Sequence, residues 1–108
     1  MRLVVIESPY AGDVDANAEY ARACLADCLR RGEAPFASHL LYTQPGVLDD
    51  DKPEERALGM QAGFAWGRAA VMTAVYYDRG VSSGMLLGIQ RAHQEQRPVV
   101  WRRLEVPK

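Results

Sequence analysis

The feature that most constrains this chain is its first apolar run. Leu3, Val4, Val5 and Ile6 stand consecutively before Glu7 interrupts them. A strand with one wet face alternates apolar and polar residues. An unbroken run needs cover on both faces, as a central strand of a parallel sheet has. Parallel neighbours can be joined only by long crossovers, which are usually helices.

The rest of the chain supplies that alternation. A loop at 8–13, holding Pro9 and Gly12, leads into a helical pattern from about residue 15 or 17 to 31. Tyr20, Ala21, Cys24, Leu25, Cys28 and Leu29 recur there at helical spacing, and Gly32 is placed to end the helix. Residues 34–42 read as a second strand, followed by a 43–52 connection containing Pro45 and Gly46. Pro53 suits the first position of a second helix, with Glu54 and Glu55 in its first turn. Leu58, Ala62, Ala65, Trp66 and Ala69 give that helix a core stripe, while Gly59, Gly63 and Gly67 line another face. Those glycines imply very close packing against the sheet or a second subunit. Residues 69–77 read as a third strand, 83–96 as a third helix and 98–101 as a last strand. The β-α-β-α-β-α-β order predicts a three-layer α/β fold around a mostly parallel sheet of four or five strands, as a single domain over 1–108.

Charge and composition narrow the function classes. Thirteen basic residues against fourteen acidic leave a net charge of −1, so nothing draws the chain to a nucleic-acid polymer or a membrane surface. No apolar stretch approaches the ~20 residues of a membrane helix, and the first run is too short for a signal peptide. Cys24 and Cys28, four apart on one helical stripe, read as small buried hydrophobes in a reducing compartment. A cytoplasmic protein is expected. Asp49, Asp50 and Asp51 followed by Glu54 and Glu55 lack calcium-loop spacing and read as a solvated helix entry, so no metal or cofactor is assigned.

Ligands of such sheets bind beyond the carboxyl ends of the strands. The richest of those ends is Asp78-Arg79-Gly80-Val81-Ser82-Ser83-Gly84-Met85. Asp78, Gly80, Ser82, Ser83, Gly84 and Met85 there surround a helix N-terminus whose unpaired N–H groups suit a phosphate. An equally good reading makes Ser82 only the helix cap. At the first strand end, Ser8, Tyr10 and Gly12 offer a hydroxyl, an aromatic face and close backbone approach. His39 reads as a hydrogen-bonded core residue more readily than as a base, and His93 as a surface residue.

Taken together, VVIESPYAG, APFASHLLYTQPGVLDDDKPEERALGM, VYYDRGVSSGMLLGIQRA and RPVVW resemble the nucleoside 2-deoxyribosyltransferase-like superfamily, in a small branch frequent in phages and bacteria. The resemblance spans nearly the whole chain. It implies a Rossmann-like fold, a nucleoside or nucleotide in the cleft, and a homodimer or larger homo-oligomer. It also implies N-glycosidic chemistry by a glutamate four residues after the glycine of the Ser-x-Gly motif. Counted from Gly84, that position is Gly88, and no carboxylate lies between Met85 and Ala92. A glycine supplies no nucleophile. The expectation is therefore a nucleoside- or nucleotide-binding domain without the usual glutamate. Two alternatives compete with it: an active N-glycosidic hydrolase or transferase using another carboxylate, and a phage-type accessory protein acting through protein–protein contact. Light scattering tests the expected oligomer; a monomer at every accessible concentration would remove it.

Overall fold

The computed structural model describes residues 1–104, so the last four residues of the expected domain lie outside it. The chain runs β1 (Arg2–Glu7), α1 (Val14–Arg30), β2 (Glu33–Phe36), α2 (Ser38–Leu41), α3 (Pro53–Gly67), β3 (Met72–Tyr76), α4 (Ser83–Gln94) and β4 (Val99–Arg102). The four strands form one sheet in the order β2-β1-β3-β4, with every pairing parallel. This is the expected Rossmann-like α/β architecture with one extra short helix.

The two faces of the sheet follow from the alternation of side chains along each strand. Val4 and Ile6 of β1 and Met72, Ala74 and Tyr76 of β3 face α1, where they pack with Tyr20, Cys24 and Cys28. Both cysteines are free and fully buried, as expected. On the opposite face Val75 packs with Met85 and Ile89 of α4. Val5 and Glu7 alternate with Val4 and Ile6 and therefore share that second face. Pro35 is tolerated because β2 is an edge strand and needs no outward N–H.

Three boundaries or faces differ from the sequence reading. The second strand stops at Phe36, not residue 42: its ladder ends at the Val5↔Phe36 pair although β1 continues to Glu7, and the backbone groups beyond turn to one another. Those groups are satisfied locally, Leu40 N–H to the Ala37 carbonyl and Tyr42 N–H to that of Ser38, which makes the turn of α2. The third strand begins at Met72, because the N–H groups of Ala69 and Ala70 still bond to the end of α3. Most informatively, the supposed core stripe of α3 faces outward. Leu58 is 55% and Trp66 60% exposed, whereas Gly63 and Gly67 are buried. The glycine face is the packed one, and within this chain α2 and Arg97 cover it rather than the sheet. A Cβ at Gly63 would meet Ser38 Oγ at 2.6 Å, and one at Gly67 would meet Arg97 Nη2 at 3.3 Å.

A buried polar bridge ties the two edge strands. Arg102 of β4 donates two hydrogen bonds of 2.7 Å to the carboxylate of Glu33 in β2, and a third of 3.2 Å to the Tyr76 hydroxyl. The Tyr76 hydroxyl in turn donates to Asp27 at 2.6 Å. The hydrogen bonds from Arg102 hold the Glu33 carboxyl below the usual carboxylate range. Its contribution to stability is therefore present above its unfolded-state pKa and is lost as pH falls through the lower folded value. Replacing Arg102 with Met strands a buried carboxylate. It should cost about 3–5 kcal/mol in urea unfolding at pH 7 and flatten the acid limb of stability against pH.

Candidate functional site

The carboxyl ends of β1 and β3, with α2, α3 and the start of α4, surround one cavity. Ser8, Tyr10, His39, Ser82, Ser83, Gly84 and Met85 all line it, so seven of the expected site residues are brought together. Three are not. Gly12, with φ of 100°, lies in a neighbouring open groove along residues 43–52. Gly80, with φ of 85°, closes a turn onto the Tyr77 carbonyl. Asp78 turns toward α1, accepting from the Tyr20 hydroxyl at 2.5 Å and from the Leu104 N–H at 2.9 Å. The reason for Asp78 is register: it follows Tyr76 by two, and Tyr76 faces α1.

Each wall has a local cause. The first loop is held by Asn17, whose side-chain amide donates to the Tyr10 and Ala11 carbonyls at 3.0 and 3.1 Å. Asp13 caps α1 by accepting from Ala16 N–H at 3.2 Å. His39 sits in α2 rather than at a strand end, and its Nε2 lies 2.7 Å from Ser8 Oγ. The Tyr10 ring meets the His39 ring edge-on, with centroids 6.4 Å apart. The expected hydrogen bond to His39 is thus present, but the ring forms part of the cavity wall.

At α4 the capping reading of Ser82 holds. Its Oγ accepts from the Met85 N–H at 3.3 Å, and the Ser82 N–H reaches Met85 Sδ at the same distance. The donors left for a ligand are therefore fewer than expected: among the described residues, only the N–H groups of Ser83 and Gly84 lack an acceptor in this turn. Opposite them stands Arg56 of α3. A Cβ on Gly84 would come within 3.5 Å of its Nη2, and among the described residues Arg56 enters no ion pair.

Arg56, Arg97 and Glu7, none of them among the expected site residues, also line the cavity. Arg97 is pinned by Thr73 Oγ1 at 2.9 Å, the Gly67 carbonyl at 2.8 Å and Glu95 at 2.8 Å. Glu7 was legible in principle, since a charged residue ending an apolar strand, two after Val5, must point into the second face. Burial pushes its carboxyl up to about 8, against the opposing pull of Arg97. Among the described residues no set of three or more His, Cys, Asp or Glu side chains is arranged to hold a metal ion. No described helix is long and apolar enough to cross a membrane.

Burial lowers His39 to about 4. The unfolded state then binds more protons than the folded state between about pH 4 and 6.5, so stability must fall as pH drops through that window. An NMR titration should find the His39 ring neutral at pH 6, and the corresponding loss of stability should vanish in His39→Gln.

Comparison with known proteins bears on the fold. A family model described as a domain of unknown function, DUF7768, matches residues 2–102. No curated protein matches the chain. A solved structure of a 2-deoxyribosyltransferase from the psychrotolerant bacterium Bacillus psychrosaccharolyticus superposes with a TM-score of 0.62 at 17% identity, covering 98% of this chain and 77% of that one. At that identity the likeness establishes a shared fold.

Proposed function

The chain belongs to the DUF7768 family, and we propose that it binds a nucleoside 5′-phosphate in the cavity between α2, α3 and α4. One observation carries the reading. The open N–H groups at the start of α4 and the guanidinium of Arg56, which enters no ion pair among the described residues, converge on one corner of the cavity. Two positive groups held side by side repel each other unless an anion joins them. Guanidinium planes and helix N-termini are both good phosphate partners. A phosphate there leaves Tyr10 and His39 as the aromatic wall for a base or sugar. The fold shared with a 2-deoxyribosyltransferase supports a nucleoside-type ligand. A role confined to protein–protein contact gives no reason for those converging donors.

Calorimetry with nucleosides and their 5′-monophosphates tests this reading. The monophosphates should bind more tightly than the parent nucleosides. Arg56→Gln should weaken them by about 1.5–3 kcal/mol, as expected for a hydrogen bond to a charged group, and leave the nucleosides unaffected. Ser82→Ala should loosen α4 by about 1 kcal/mol in stability and weaken binding through the displaced N–H groups. Gly84→Val should weaken binding more, by crowding both Arg56 and the phosphate. Equal affinity of nucleoside and nucleotide, unchanged in all three variants, would overturn the reading.

A further inference from the structure

We propose that Glu7 is the catalytic acid of this cavity, and that the site hydrolyses the N-glycosidic bond of its nucleotide. The inference rests on the ligand reading above and goes beyond it.

The main observation is steric. A Cβ built on Gly88 would collide with the Glu7 carboxyl, meeting its Oε2 and Cδ. The carboxyl of a β1 residue thus presses onto the bare backbone of α4, in the space where a side chain at 88 would start. A glycine in mid-helix weakens the helix, and this one is buried among Met85, Ile89 and Ala92. Its presence is explained by the carboxyl that needs the space. The cavity therefore holds one carboxyl at this place, delivered from the strand instead of from the helix.

The second observation is that this carboxyl feels the charge of Arg97 but is not clamped by it. Among the described residues no hydrogen bond reaches it, in contrast to Glu33, which Arg102 clamps with two. Glu7 is half-buried and lines the cavity, so its carboxyl is available to whatever fills that space. The charged and titratable groups around it come from every wall. Arg97, ahead of β4, favours ionisation; His39 of α2 is neutral; Arg56 of α3 and the start of α4 hold the phosphate corner. Asp50 and Glu55 also line the cavity. Desolvation outweighs Arg97, so the carboxyl keeps its proton at neutral pH, as a general acid must.

The step balances with water as the co-reactant. Glu7 gives its proton to a ring nitrogen of the departing base. The C1′–N bond breaks, and its electron pair stays on the base. Water adds to C1′ and returns a proton to the Glu7 carboxylate. Free base and a sugar 5-phosphate are the products, and Glu7 ends protonated as it began.

The test uses the whole chain with a panel of ribo- and deoxyribonucleoside 5′-monophosphates, with free base quantified by chromatography. Wild-type protein should release base from at least one of them. Glu7→Gln, which is isosteric, should lower that rate by about 100-fold or more while retaining nucleotide affinity. The wild-type rate should be level below pH 7 and fall tenfold per unit above about pH 8, because the protonated form is the active one. Three results overturn the proposal: an unimpaired Glu7→Gln, a rate that rises through pH 8, or a wild-type protein that binds nucleotide but releases no base. In the last case the ligand reading stands. Protein that binds none of the panel sinks that reading, and this inference with it.

Discussion

Everything in this molecule hangs on β1 being covered on both sides. Val4 and Ile6 are 1% exposed against α1, and the intervening positions look the other way, toward α3 and α4. The strand is therefore an anchor on one face and a delivery arm on the other. Because successive side chains point to opposite faces, Glu7 can reach the cavity only if Ile6 is locked in the core beneath α1. A one-residue slip would exchange the two faces, burying Glu7 against Tyr20 and emptying the cavity of its carboxyl.

Close backbone approach is the second theme of the site. Gly63 admits Ser38, Gly67 admits Arg97 and Gly88 admits Glu7. In each case a helix gives up a side chain so that a polar group from another element fits against its backbone. Backbone against an inserted polar group thus forms part of the cavity wall, set among apolar side chains such as Leu48, Met60 and Phe64. The cost is helix propensity, and it is concentrated in α3 and α4, the two helices that frame the ligand site. The outward Leu58 and Trp66 follow from the same choice, since the face turned inward is the one without side chains.

The two faces of the sheet also treat charge differently. Beneath α1, Glu33, Arg102, Tyr76 and Asp27 satisfy one another in a closed network. On the cavity side, Arg56 has no ion-pair partner among the described residues, Ser83 and Gly84 have open N–H groups, and Glu7 has no hydrogen bond. Completed polar groups rigidify a fold, while uncompleted ones in a concave place are available to a ligand.

How much of this could be read in advance differs from element to element. The apolar run at 3–6, the Pro53 helix start and the glycine stop at Gly32 were enough for the order of elements and the parallel sheet, because strand and helix periodicities and caps are local properties. Seven of ten expected site residues gather in the cavity for a general reason: parallel strands carry their carboxyl-end loops to one edge. Asp78 could not be excluded from sequence, since its direction depends on the register of β3. The helical turn holding His39 was hidden because it arises where the β1–β2 ladder ends, a non-local fact. The outward stripe of α3 misled for a related reason: hydrophobicity marks the buried face only when side chains do the packing, and here the backbone does. Above all, Glu7 and Gly88 lie eighty-one positions apart in the numbering. Each alone is an ordinary residue, and only the folded chain brings the carboxyl of one into the space that the other leaves empty.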